Sequence, residues 1–135
     1  MRTLQTLASL ALAVGVACGA FGAHGLKSII PASDLLIWEK GVLYQLIHAL
    51  GALILLVAGT NEPSQKTRIR IARLLLISCL IFSGSLYLLV LTNQRWLGAI
   101  TPIGGVGFIV SWIWLGWSFC RERETKTNVP TSPET

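Results

Sequence analysis

The chain has 135 residues, of which 53% are hydrophobic and only 13% are charged, so it has too few charged side chains to cover a soluble domain. Its length fits one domain, and its net charge of +5 comes from basic residues spread along the chain, which argues against a nucleic-acid-binding patch. Four segments without a charged residue each exceed the roughly 20 residues that a membrane-spanning helix needs. They are residues 3–23, 41–61, 74–94 and 96–120.

This pattern predicts an all-α integral membrane protein in which four transmembrane helices form a small bundle within one domain, residues 1–120. The spans are predicted at about residues 4–23, 41–59, 74–92 and 97–120. A short interfacial segment is expected between the first two helices, with Ser33 or Asp34 as its cap and Trp38 at headgroup depth. Residues 121–135 are charged and then rich in Pro, Ser and Thr, which is typical of a disordered tail.

The first span has a second interpretation, a cleaved signal peptide with Arg2 as its basic segment and small residues at 17–20. We favour a retained helix because the apolar run is long enough to span a membrane and three further spans follow it.

Small residues recur at every fourth position of the first span, at Ala11, Gly15, Gly19 and Ala23. Helices in lipid associate through close backbone contact, so this ridge predicts tight packing, within the bundle in preference to a second copy. The glycines predicted to serve helix packing are Gly15, Gly19, Gly22, Gly104 and Gly105. The helix is expected to end at His24-Gly25, with the glycine in the left-handed conformation that closes a helix C-terminus.

The basic residues predict the orientation of the four spans. With the N-terminus inside, eight basic residues lie on the inner side and three on the outer side. The inner residues are Arg2, Lys66, Arg68, Arg70, Arg73, Arg121, Arg123 and Lys126, and the outer residues are Lys27, Lys40 and Arg95. Because basic residues are enriched on the cytoplasmic side of membrane proteins, we expect both termini in the cytoplasm. The sequence shows no eukaryotic targeting segment, so we expect a bacterial protein of the cytoplasmic (inner) membrane.

Polar side chains are concentrated in the outer half of the predicted bundle. With a rise of 1.5 Å per residue, the polar side chains of the spans lie within about 10 Å of the outer ends, except that Ser83 is deeper. The candidate polar layer consists of His24, Tyr44, Gln45, His48, Ser83, Tyr87 and Thr101. Such residues usually face the bundle interior. A structural hydrogen-bond network is the favoured interpretation, and a cavity that binds or passes a small molecule or ion from the outer side is the alternative.

The sequence does not support an enzyme, and no catalytic residue, cofactor or metal site is predicted. None of the acidic residues lies inside a span, which argues against proton-coupled export. They are Asp34, Glu39, Glu62, Glu122, Glu124 and Glu134. Hydrolase motifs are absent, and the three cysteines form no C-x-x-C pair. The two histidines differ in depth by about 10 Å, too much for two axial haem ligands.

Four stretches together resemble one known family. They are GAFGAHGLK at residues 19–27, YQLIHAL at 44–50, FSGSLY at 82–87 and GAITPIGG at 98–105. Their order and spacing are similar to those of the YgdD-like bacterial inner-membrane proteins and the animal transmembrane protein 256, grouped as a domain of unknown function. Gln45 departs from the histidine that is frequent at its position. The resemblance implies a small multi-pass membrane protein without an assigned activity, so no catalytic residue is carried over.

These observations predict a non-enzymatic structural or accessory membrane protein. Its expected partners are the lipid bilayer and either a second copy of the chain or another membrane protein, with no nucleic acid.

Overall fold

Four long helices that alternate in direction make up the protein, in a computed structural model that describes residues 1–59 and 63–127, with side chains through Arg121. The helices are α1 (Arg2–Phe21), α2 (Ala32–Val57), α3 (Gln65–Thr92) and α4 (Thr101–Thr127). A π-helical turn, Gly22–Leu26, extends α1, and a 3-10 turn, Arg95–Ala99, precedes α4. All four helices are long and apolar enough to cross a membrane, which confirms the predicted number of candidate spans.

The helices α2 and α3 form the centre of the bundle. They make the most extensive contact, while α1 packs chiefly on α2 and α4 packs on α3. We call the end that carries Met1 and Gln65 the terminal end, and the end that carries the turn from Leu26 to Pro31 the loop end. Near the terminal end, a hydrogen bond joins α1 to α2, in which Gln5 Nε2 donates to the Leu56 carbonyl at 3.1 Å.

Two apolar clusters fill the interior of the bundle. One lies towards the terminal end around Ile71 and Leu75, whose side chains are fully buried. The other lies towards the loop end, where Trp38 packs with Leu26 and Leu89. The bundle therefore has a packed interior along most of its length.

The predicted end of the first helix at Gly25 is wrong. No described glycine has a positive φ, and the chain continues in helical conformation through Leu26. The Lys27 amide donates to the Gly22 carbonyl at 3.2 Å, which closes the wider turn of a π-helix. Gly22 faces Trp38 of α2, where a Cβ atom would lie 2.7 Å from the indole ring. The glycine at position 22 is therefore explained by its packing against that ring, and Gly25 does not form a left-handed cap.

The predicted interfacial segment is not separate from the second span, because α2 runs without interruption from Ala32 to Val57. Pro31 occupies the N-cap position, and neither Ser33 nor Asp34 caps the helix. Trp38, predicted at headgroup depth, is 3% exposed and packs in the interior of the bundle. The segment therefore continues the helix of the second span. Its polar residues face outward or pair with another turn, and the indole ring of Trp38 faces the interior.

The helices α3 and α4 are also longer than the predicted spans. Ser64 caps α3, where its Oγ accepts a hydrogen bond from the Thr67 amide at 3.3 Å, so the basic residues that follow belong to the helix. Helix α4 continues through Thr127, so the first seven residues of the predicted disordered tail are helical. Arg, Glu and Lys in this stretch favour a helix. The rest of that predicted tail, residues 128–135, and the loop residue Glu62 lie outside the described residues.

Candidate functional site

Gln45 is the residue at which three helices are joined. Its side chain on α2 is 7% exposed. The Nε2 atom donates to the Ala11 carbonyl of α1 at 2.7 Å, and the Oε1 atom accepts from the Tyr87 hydroxyl of α3 at 2.9 Å. An amide carries both donors and an acceptor, so one side chain satisfies groups on both neighbours. The residue that departs from the frequent histidine of the family thus fits its surroundings as a donor and an acceptor at once.

Trp38 continues this polar network towards the loop end, and Ser83 adds a second hydrogen bond between the two central helices. The indole Nε1 of Trp38 donates to the Cys18 carbonyl at 2.8 Å, and the ring lies 4.5 Å from the Tyr87 ring, centroid to centroid. Ser83 Oγ donates to the Gly41 carbonyl at 2.7 Å. Gly41 allows this approach, because a Cβ atom there would lie 2.8 Å from the Tyr87 ring.

The sequence analysis did not include Trp38 in the candidate layer. A signal for it was present, because residues 38, 41 and 45 are spaced three and four apart and therefore share one face of α2. That face meets α1 and α3 in the structure.

Tyr44 and His48 form a second group, which faces α4. The His48 ring stacks on the Phe108 ring at 3.5 Å between centroids and 17° between planes. The Tyr44 ring stacks on the Phe82 ring at 4.5 Å. His48 Nδ1 lies 2.7 Å from the Tyr44 carbonyl oxygen. Because a carbonyl can only accept, Nδ1 carries the proton of this bond.

Thr101 and His24 lie apart from both groups. Thr101 Oγ1 and Ser85 Oγ share a hydrogen bond of 2.8 Å between α4 and α3. His24 is exposed in the π-helical turn. The structure therefore does not bring the seven predicted residues into one group of mutual contacts. Helix α2 has neighbours on both sides, so consecutive residues such as Tyr44 and Gln45, about 100° apart around the helix, meet different helices.

His48 lies further from the loop end of its helix than the sequence suggested. Helix α2 begins at Ala32, so His48 is about 24 Å along the helix from that end. It therefore lies near the middle of the bundle, at the level of the aromatic rings of α4. The predicted depth counted from Gly41, because the span was expected to begin there.

The five glycines predicted for packing lie at two helix contacts. On α1, a Cβ atom at Gly15 would lie 2.8 Å from Leu46, and one at Gly19 would lie 3.4 Å from Val42. Gly22 meets Trp38 as described above. On α4, a Cβ atom at Gly104 would lie 2.6 Å from the backbone nitrogen of Phe82, while Gly105 has ordinary contacts with the same residue.

The intramembrane groups of this site are neutral hydrogen-bonding side chains. Among the described side chains the carboxylates are those of Asp34 and Glu39, near the loop end, and Asp34 binds Arg95 through both oxygens at 2.8 and 3.0 Å. Within the described residues no group of three or more His, Cys, Asp or Glu side chains is placed to hold a metal ion. The polar side chains between the helices therefore orient the helices, and their protons are held in hydrogen bonds to fixed partners.

A groove runs between α1 and α3 and opens laterally. Its volume is about 520 Å³, and its walls are leucine, valine and isoleucine side chains such as Leu10, Val14 and Leu80. Gln45 and Tyr87 line the groove towards its loop end, and Arg73 lines it towards the terminal end. The groove exists because α1 leans on α2 and makes few contacts with α3.

Four long apolar helices, with neutral polar side chains between them, define a multi-pass membrane protein. Residues 18–105 match the family described as "Protein of unknown function (DUF423)". The chain is 44% identical to a UPF0382 membrane protein of Staphylococcus saprophyticus over 116 residues, which cover 85% of this chain and 94% of the relative. It is 40% identical to the UPF0382 membrane protein YwdK of Bacillus subtilis over 113 residues, or 84% of this chain and 92% of the relative.

The chain therefore belongs to the DUF423 family of membrane proteins, to which the YgdD-like proteins correspond. The family membership expected from the four sequence stretches is confirmed. A UPF0382 membrane protein of Staphylococcus epidermidis is similar at 44% identity over 114 residues, 84% of this chain and 91% of the relative. No solved structure matches the chain significantly.

Proposed function

We propose that this protein is a non-enzymatic structural or accessory protein of the bacterial cytoplasmic membrane, with both termini in the cytoplasm. One observation carries the proposal, the Gln45 side chain that binds Ala11 of α1 and Tyr87 of α3 at the same time. The polar side chains between the helices serve packing in this proposal, and they are not a reaction centre.

The energetics of lipid support a packing role. Burying an unpaired polar group in hydrocarbon costs several kcal/mol, so paired groups between helices are retained where the pairing is good. Interhelical hydrogen bonds in membranes contribute about 0.6 kcal/mol each on average and at most about 1.7. A network through Gln45, Tyr87 and Ser83 therefore contributes about 2 kcal/mol, a large share of the stability of a small bundle.

The aromatic group around His48 favours this role over passage of a small molecule or ion. The ring is 7% exposed, and it is stacked on Phe108 and bonded through Nδ1 to the backbone of Tyr44. A proton or ion carrier inside a membrane needs an ionisable group that faces a water-filled path. His48 faces aromatic rings instead.

The charge distribution supports the orientation. The alternating helices bring the start of α1, the start of α3 and the end of α4 to the terminal end. The eight basic residues of the predicted inner side are at this end or in the first turns next to it, which fits the positive-inside rule.

The experiment compares the wild type with His48→Leu and Gln45→Leu in two measurements. The first is the free energy of unfolding in mild detergent, and the second is proton flux into proteoliposomes that contain a pH-sensitive dye and carry an imposed potential. We expect both variants to unfold more easily, by about 1–2 kcal/mol, and the wild type to give no flux above protein-free vesicles. A wild-type flux that His48→Leu abolishes, at unchanged stability, would sink the proposal.

A further inference from the structure

We propose that the groove between α1 and α3 binds one anionic phospholipid, with an acyl chain between the two helices and the phosphate at the basic start of α3. This site is additional to the polar network. It requires neither the proposed orientation nor the proposed lack of activity.

The shape of the groove fits a single hydrocarbon chain. Its volume of about 520 Å³ lies within the roughly 300–1,000 Å³ of small-ligand sites. On α3 it extends from Arg73 to Tyr87, about 21 Å at the helical rise. The hydrocarbon half of one leaflet is about 15 Å thick, so the groove is long enough for a chain that enters from one leaflet.

The walls of the groove are open. Leu80 is 77% exposed and Leu10 is 55% exposed, although both point into the groove. Gly84 lies between them and the Gln45–Tyr87 pair, and a Cβ atom there would meet nothing within 4 Å. No side chain of the described residues fills this space, whereas a Cβ atom at Gly15, Gly19 or Gly104, which lie in helix contacts, would meet its nearest neighbour at 2.6–3.4 Å.

Charge complementarity selects an anionic occupant. Lys66, Arg70 and Arg73 are exposed and are spaced four and three residues apart, so they form one basic stripe that leads into the groove. Within the described residues no ion pair or hydrogen bond occupies these three side chains. The positive-inside rule explains the number of basic residues but not this alignment, because Arg68 turns away and donates to the Ala58 carbonyl.

A basic stripe at the mouth of a cleft between membrane helices is the chemistry that holds a lipid phosphate. The guanidinium groups of Arg70 and Arg73 can donate charge-assisted hydrogen bonds to the phosphate oxygens. The apolar part of the groove then takes the chain of the same molecule.

A second copy of the protein is a poorer occupant. Helices in lipid pack tightly through small residues, and the small residues of α1 are already used against α2, where Gly15 meets Leu46 and Gly19 meets Val42. The groove walls are bulky and aliphatic. In a symmetric dimer with both copies in one orientation, the basic stripes would also lie at the same depth and repel each other.

The test measures binding of phosphatidylglycerol and of phosphatidylcholine with identical acyl chains to the protein in an uncharged detergent, by native mass spectrometry and by thermal unfolding. We expect one phosphatidylglycerol per chain, bound about tenfold or more tightly than phosphatidylcholine. The double variant Arg70→Gln/Arg73→Gln should lose this preference. Equal binding of the two lipids by the wild type would overturn the proposal.

A filled groove provides the second arm. Gly84→Leu should weaken phosphatidylglycerol binding about tenfold, while Gly116→Leu, at an equally open position on α4, should bind like the wild type. A phosphatidylglycerol with a photoreactive group on its chain should crosslink the wild type within residues 7–14 or 77–84, a readout that needs no variant. Crosslinks spread over all four helices, or a Gly84→Leu variant that binds normally, contradict the site. A wild-type dimer that Gly84→Leu converts to a monomer would assign the groove to a second copy instead.

Discussion

The Tyr87 hydroxyl donates a hydrogen bond of 2.9 Å to the side-chain oxygen of Gln45, across the contact between the two central helices. The same Gln45 amide holds the backbone of α1 at Ala11. This side chain thereby couples α1, which packs chiefly on α2, to the central pair of helices. Loss of the amide should therefore weaken both the contact between α1 and α2 and the contact between α2 and α3.

A double-mutant cycle measures that coupling. Gln45→Leu removes both hydrogen bonds and should lower the free energy of unfolding by about 1–2 kcal/mol, and Tyr87→Phe removes one and should lower it by about 0.5–1 kcal/mol. The double variant should lose less than the sum, by about 0.5 kcal/mol or more, because the bond between the two residues is removed in both single variants.

Reversible unfolding in mixed micelles, followed by circular dichroism, gives the four free energies of this cycle. Ser9→Ala is a suitable control, since its hydroxyl bonds only the backbone of its own helix at Gln5. Strict additivity of the two main variants would show that the 2.9 Å contact contributes nothing to stability.

Two glycines of α4 predict opposite effects of the same substitution. A Cβ atom at Gly104 would lie 2.6 Å from the Phe82 backbone nitrogen and 2.9 Å from its Cα, so Gly104→Ala must separate α3 from α4. We expect a loss of about 2 kcal/mol. At Gly116 nothing lies within 4 Å, so Gly116→Ala should stabilise the helix by about 0.5–1 kcal/mol. Thermal unfolding of the two variants side by side checks the prediction, and equal shifts for both contradict it.

The sequence predicted the helices of this protein well. A long segment without charges that spans lipid commonly forms a helix, because a helix satisfies its own backbone hydrogen bonds. It predicted the helix ends poorly, because these depend on contacts between distant residues. Gly25 is of a residue type that often ends a helix. The helix nevertheless continues past it in a π-helical turn, in which Gly22 packs on Trp38. Near the start of α2, Asp34 similarly does not cap its own helix but pairs with the distant Arg95.

The kinds of residue in the candidate site were predictable, but their grouping was not. Polar side chains inside spans must face other helices, and this rule selected Tyr44, Gln45, His48, Ser83 and Tyr87. Which helix each one faces depends on the order of helices around α2, and periodicity along a single helix cannot give that order. Trp38 was missed for a related reason, since tryptophan near a span end is typical of the interface and also fits a core.

The ion pair between Asp34 and Arg95 is predicted to fix the loop end. Two parallel bonds of 2.8 and 3.0 Å join the first turn of α2 to the 3-10 turn before α4. Asp34→Asn and Arg95→Gln should each lower the melting temperature, by less than Gln45→Leu does, because the guanidinium is half exposed and is screened by water. High salt should reduce the difference from the wild type.

A charge exchange controls for effects unrelated to pairing. The double variant Asp34→Arg/Arg95→Asp keeps the net charge and restores opposite signs across the contact, so it should recover part of the lost melting temperature. No recovery, together with no dependence on salt, would mean that the pair does not stabilise the loop end.

The proposed orientation predicts which ends of the helices react with a reagent that cannot cross the membrane. The three native cysteines, Cys18, Cys79 and Cys120, are free thiols and are replaced first, by Ala, Ala and Ser. Into this background we introduce Ser28→Cys, which is exposed at the loop end, or Lys66→Cys, which is exposed at the terminal end. With both termini in the cytoplasm, a charged maleimide added to intact spheroplasts should label Ser28→Cys and leave Lys66→Cys unlabelled until the membrane is permeabilised. Labelling of Lys66→Cys alone would mean that the orientation is the reverse of the proposed one. Labelling of both positions in intact spheroplasts would mean that the chain inserts in both orientations. In that case the excess of eight basic residues over three does not set its topology.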